Sequence, residues 1–93
     1  MTVFVLGGKE IKRASGLLKH YSLEVKSNVF ISTVDSKIRD LLIKHLEEFK
    51  QSAIIVYDYP NEQGFRVVNI GDYNLLQNDD LIVGIEYEEK YFS

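Results

Sequence analysis

Ninety-three residues, 45% of them hydrophobic and none a cysteine, suit one compact domain over residues 1–93 and exclude both a disulfide scaffold and a thiolate metal cluster. A chain this short buries only ~60–65% of the surface its unfolded form exposes, so a self-association surface would add to its stability. The net charge of -3 conceals two halves of opposite sign: nine Lys and Arg against six Asp and Glu over residues 1–50, then two against eight over 51–93.

The first half suits an anionic partner and the second another protein. No stretch approaches the ~18 consecutive apolar residues of a membrane span, and "MTVFVLGG" lacks the basic leader of a signal peptide. The expected location is the cytoplasm.

Val3 to Leu6 is an apolar run ending in Gly7-Gly8, which reads as a strand covered on both faces and then a break. From Lys9 to Tyr21, Ile11, Ala14, Leu18 and Tyr21 recur at helical spacing. Gly16 weakens that helix by ~1 kcal/mol relative to Ala, which suggests a close packing contact. Ser22 to Val25 and Val29 to Thr33 form a hairpin about Lys26-Ser27-Asn28, where Asn tolerates the left-handed turn.

Asp35 caps a second helix whose apolar face is Ile38, Leu41, Leu42, His45, Leu46 and Phe49, and Ala53 to Tyr57 returns as a strand. The order βαββαβ predicts an α+β, ferredoxin-like sandwich with two helices on one face of an antiparallel sheet, its core about residues 1–58. Beyond the turn-rich Tyr59-Pro60-Asn61-Glu62-Gln63-Gly64, further strands fall within about residues 64–88. Such a core has room for them only at its edges, so they are expected to extend across a homodimer. In the last strand Leu81, Val83, Ile85 and Tyr87 share one side and Gly84, Glu86 and Glu88 the other.

Lys37 and Arg39 stand in the opening turns of the second helix, where the helix dipole already places about half a positive charge. As solvated surface charges beside Asp40 they would cost only a few tenths of a kcal/mol each. As ligands they and the helix NH groups make a phosphate site, which Arg13, Lys12 and Lys26 would widen into a stripe. A two-fold dimer would repeat the stripe along a duplex. Stacking aromatics are not interleaved with these cations, which favours contact with the nucleic-acid backbone over base readout.

The stretches "LEVKSNVFISTVDSKIR" and "NEQGFRV" resemble the CRISPR-associated Cas-two proteins, specifically their type I-E branch, and the likeness runs from Met1 to about Val83. The resemblance implies a ferredoxin-like homodimer at the centre of the spacer-acquisition complex, between two dimers of the Cas-one integrase and holding duplex prespacer DNA. It also implies DNA-backbone contacts for Arg13, Lys37 and Arg39, and integrase docking by the last strand, Leu81, Val83, Ile85 and Tyr87. Some members of the branch carry an exonuclease domain behind this module. The chain departs from the pattern at Ser15, where the branch has a first-helix cation, and at Asn74-Leu75, where it has paired arginines.

Many relatives in the wider family are described as metal-dependent endonucleases whose acid closes the first strand, and here that position is Gly8. Glu10 is the sole weak catalytic candidate, requiring Mg²⁺ and a loop that curls back. His20 and His45 lack a nucleophile or base partner at recognisable spacing, and Asp58, Glu62, Asp72, Asp79 and Asp80 lack the spacing of a metal loop. No metal ligands are therefore assigned, and no cofactor is expected for a scaffold. The expected function is a non-catalytic DNA-holding scaffold, with a Mg²⁺-dependent endonuclease and a small-ligand regulatory module as alternatives.

Overall fold

Alternation in the first strand sets the architecture. In β1 (Thr2–Leu6), Thr2, Phe4 and Leu6 are buried while Val3 and Val5 are half-buried, so the strand has one deeply covered face rather than two. The computed structural model, which describes residues 1–8, 11–71 and 86–91, continues with α1 (Lys12–Leu18), β2 (Leu23–Lys26), β3 (Val29–Ser32) and α2 (Ser36–Glu48). It ends with β4 (Ala53–Asp58), β5 (Phe65–Ile70) and β6 (Tyr87–Lys90).

The result is a mixed α+β fold with one six-stranded sheet, ordered β2-β3-β1-β4-β5-β6. Every neighbouring pair is antiparallel except β5 and β6, which run parallel. Both strands described beyond residue 60 thus extend the β4 side of the chain's own sheet. Residues 81–85, where the alternation of the last strand was expected to begin, lie outside the described residues.

Cross-strand register builds the core. Phe4 stands opposite Phe30 on β3 and Ile55 on β4, and Ile55 stands opposite Val68 on β5, giving a row of four side chains no more than 2% exposed. Ala14 and Leu18 of α1 and Leu42, Ile43 and Leu46 of α2 seat on that row in a single cluster. Each large side chain withdrawn from water in this way contributes about 1.5–3 kcal/mol. Both helices therefore lie on the Phe4 face, and Val3, Val5, Val56 and Ile31 belong to the other.

The face of α2 differs from its expected composition. Leu41 is 48% exposed, whereas Ile43 is 7% exposed. β5 and β6 widen the sheet beyond β4, and Ile43 turns toward that extension, lining a groove with Val68 and Lys90. In the first helical segment Tyr21 falls beyond the helix end and is 44% exposed, and the half-buried Leu17 packs on the core instead. Gly16 makes no close contact: a Cβ there would meet nothing within 4 Å.

Turn chemistry explains the remaining boundaries. Asn28 takes φ 66° in the β2–β3 turn, as expected of its side chain. Asn61 accepts a 2.8 Å bond from the Gly64 amide, and Gly64 supplies φ 82° for the β4–β5 connection. α2 ends without glycine. Lys50 adopts φ 55°, its amide donating to Glu47 O and that of Gln51 to Leu46 O, the paired bonds of a Schellman cap.

Candidate nucleic-acid interface

Asp35 makes the expected cap: with ψ 171° its backbone is still extended, and Oδ1 accepts the Ile38 amide at 2.9 Å. The helix begins at Ser36, so Lys37 and Arg39 occupy its opening turns. They are used differently. Lys37 is exposed to solvent, whereas Arg39 folds back, its guanidinium 3.8 Å from the Tyr57 ring centroid and its Nε and a terminal nitrogen 3.0 and 2.9 Å from Asp40 Oδ1. Its side chain is only 16% exposed.

Arg13 sits at the other end of α2. Its guanidinium lies 4.0 Å from the ring centroid of Phe49, the residue that closes the helix, and Phe49 stacks in turn on His45. From Arg39 to Phe49 the helix rises about 15 Å. Lys26 belongs to this second end as well, because it pairs with Val29, which pairs with Val5 near the end of β1. Lys12 and Arg13 are exposed at the start of α1. The expected stripe is therefore two groups: Lys37 and Arg39 beside the Thr2 end of β1, and Lys12, Arg13 and Lys26 beside its Leu6 end.

Next to the first group lies a groove of about 610 Å³ between α2 and the β4–β5–β6 side of the sheet. Arg39, Lys44, Tyr57, Arg66 and Lys90 line it together with Asp40, Glu47 and Glu88. Arg66 stands directly across from Tyr57 in the β4–β5 ladder and 5.2 Å from the Tyr59 ring centroid. Electrostatic attraction to Tyr57 first, and to Glu88 after it, holds the Arg66 guanidinium above its ordinary range. Lys90 is likewise pushed up, chiefly by its hydrogen bond to Glu47.

Arg66, Lys44 and Lys90 were not among the residues singled out from the sequence. Arg66 lies within "NEQGFRV", but its place opposite Tyr57 follows from strand register, which the turn at 59–64 sets. Lys44 and Lys90 enter through the helix face and the parallel β6 pairing.

A family model described as a CRISPR-associated protein, Cas_Cas2CT1978, matches residues 1–79. The chain belongs to this CRISPR-associated family. The matched span holds both groups of cations and Arg66, whereas β6, with Glu88 and Lys90, falls beyond it. No curated protein matches the chain.

Gly8, the position at which the resemblance would call for an acid, takes φ 96° and is exposed. It brings no carboxylate, so a metal site built on that position does not fit this chain. Glu10, Leu81, Val83, Ile85 and Asn74-Leu75 lie outside the described residues. Tyr87 is 44% exposed and stands opposite Val67, and Ser15 faces inward at 9%. Among the described residues no three His, Asp or Glu side chains are grouped to hold a metal, and no helix is long and apolar enough to cross a membrane.

Proposed function

We propose that the chain is a non-catalytic DNA-holding scaffold subunit of the CRISPR spacer-acquisition complex. In this reading it acts as a ferredoxin-like homodimer of the type I-E branch, bridges two dimers of the Cas-one integrase and grips duplex prespacer DNA by its phosphates. Family membership supplies the CRISPR association. The observation that carries the DNA-holding role is the placement of exposed Lys37 and of Arg13 at opposite ends of α2. From Lys37 to Phe49, on which Arg13 rests, the helix rises about 18 Å, of the same order as a B-DNA major groove, about 12 Å wide.

Aromatic placement favours backbone contact. Arg39 covers Tyr57 and Arg13 covers Phe49, so the rings beside these cations are occupied by guanidinium groups rather than open to bases. The dimer reading is supported by the sheet face that carries Val3, Val5, Ile31 and Val56. It continues onto β2 through Leu23, which stands opposite Ile31 and is 69% exposed. A second copy laid on that face would bury these side chains. In the same reading Leu81, Val83, Ile85 and Tyr87 dock on the integrase; of these Tyr87 is described, exposed on β6.

The Mg²⁺-dependent endonuclease alternative rests on Glu10 alone. The test of the scaffold reading is light scattering on size-exclusion fractions of the chain mixed with its cognate integrase and duplex DNA. A DNA-bound assembly larger than the integrase alone is the expected outcome. Separate elution of an intact, dimeric chain would count against it.

A further inference from the structure

β6 is held unusually for a strand of a small domain. Its four residues are Tyr87, Glu88, Glu89 and Lys90, none of them buried, so no apolar side chain anchors it in the core. Its parallel ladder to β5 is supplemented by Gln63, whose side chain accepts the Glu86 amide at 3.1 Å and donates to the Glu86 carbonyl at 3.0 Å. The Gly71 amide donates to Lys90 O at 2.7 Å.

On the helix side a line of alternating charges crosses the groove. Arg66 of β5 pairs with Glu88 at 2.8 Å, Glu88 with Lys90 at 3.4 Å, and Lys90 with Glu47 of α2 at 3.1 Å. The side chains in this line are 34–39% exposed, so each pair is individually weak and open to competition from another anion. Its cations share the groove with Arg39 and Lys44.

We propose that this line of charges is a phosphate-responsive latch: a nucleic-acid backbone entering the groove takes Arg66 and Lys90 from Glu88 and Glu47 and thereby frees β6. The inference rests on the DNA-holding reading and adds to it a regulation of the same surface. Charge decides the direction of the change. Residues 86–90 carry three carboxylates, Glu86, Glu88 and Glu89, against the single ammonium of Lys90, so the strand as a whole is repelled by a duplex that bears one charge per ~1.7 Å. Of the residues that the scaffold reading gives to the integrase, Tyr87 lies on the strand so freed.

Amide hydrogen exchange on the full chain, with and without a 20-base-pair duplex whose binding is followed separately by fluorescence anisotropy, tests the latch. The expected result is exchange about five- to tenfold faster over Tyr87–Lys90 when DNA is bound, the factor given by losing two or three exposed ion pairs, with Ala53–Asp58 not accelerated. The double variant Glu47→Gln/Glu88→Gln, both at surface positions, is expected to show the faster β6 exchange without DNA. Bound DNA with unchanged β6 exchange overturns the latch and leaves DNA holding intact. Unaltered β6 exchange in the variant overturns it too, and absence of DNA binding overturns both readings together.

Discussion

Arg39 lies over Tyr57 with its guanidinium 3.8 Å from the ring centroid, and Asp40 closes the arrangement from the side. The stack joins the start of α2 to the end of β4, and it explains how a cation is tolerated near a positive helix end. Replacing Arg39 by Lys keeps the charge but loses the planar stack and the paired nitrogens. Stability is expected to fall by about 0.5–1 kcal/mol. Lys37→Ala, which removes an exposed cation without a stack, is expected to stay within about 0.5 kcal/mol of the parent. Urea unfolding followed by circular dichroism separates the two, and equal effects would mean that the stack contributes nothing.

DNA binding should reverse that ranking. If Arg13, Lys37 and Arg39 of two protomers neutralise about six phosphates, log affinity falls with log salt at a slope near -5. Lys37 is exposed and Arg39 is held by Tyr57 and Asp40, so Lys37→Ala should flatten the slope by about 2 in a dimer and Arg39→Ala by less. A salt titration by fluorescence anisotropy measures both. An unchanged slope in Lys37→Ala would remove that residue from the interface.

The parts of the fold that depend on local chemistry were legible in the sequence. Asp35 as a cap, Asn28 as a left-handed turn residue and the order of elements through β4 all follow from side chains acting on nearby backbone. What was not legible depends on distant pairing. The exchange of Leu41 for Ile43 on the buried face of α2 arises because β5 and β6 extend the sheet beneath that side, a fact absent from the helix's own periodicity. The candidate site shows the same division. The place of Lys37 and Arg39 in the opening turns of a helix could be read from the sequence, but the position of Arg66 opposite Tyr57 emerges only once β4 and β5 are registered. The single stripe came apart because α1 and α2 start at opposite ends of the sheet.

Two backbone positions yield stability predictions with separate causes. Gly16 lies inside α1, exposed, with open space where a Cβ would stand, so Gly16→Ala is expected to stabilise by about 1 kcal/mol. For a domain of this size that raises Tm by roughly 4–8 °C. Lys50 holds φ 55°, a conformation that costs a non-glycine residue about 1–2 kcal/mol. Lys50→Gly relieves that cost but adds freedom to the unfolded chain, leaving an expected net gain of about 0.5–1 kcal/mol. Thermal unfolding of each single variant checks them, and a loss of stability in Gly16→Ala would restore the close packing contact that this structure lacks.

Lys90 supplies the pH prediction. Its ammonium is held above the ordinary value of 10.5, first by the hydrogen bond to Glu47, so folding favours the protonated form. Its stabilising contribution is therefore complete below pH 10.5 and is lost as pH rises through the raised folded value. Lys90→Met removes the charge while keeping most of the stem that lies in the groove. The wild type should accordingly exceed Lys90→Met in urea midpoint at pH 8–9, and the difference should shrink in more alkaline solution. Tyr91 also titrates in that range, its hydroxyl bonded to Glu89 and its pKa raised mainly by that bond, with the same sign for stability. Repeating the comparison in a Tyr91→Phe background isolates Lys90, and a wild-type advantage that persists undiminished through the titration would show that Lys90 acts by packing rather than by charge.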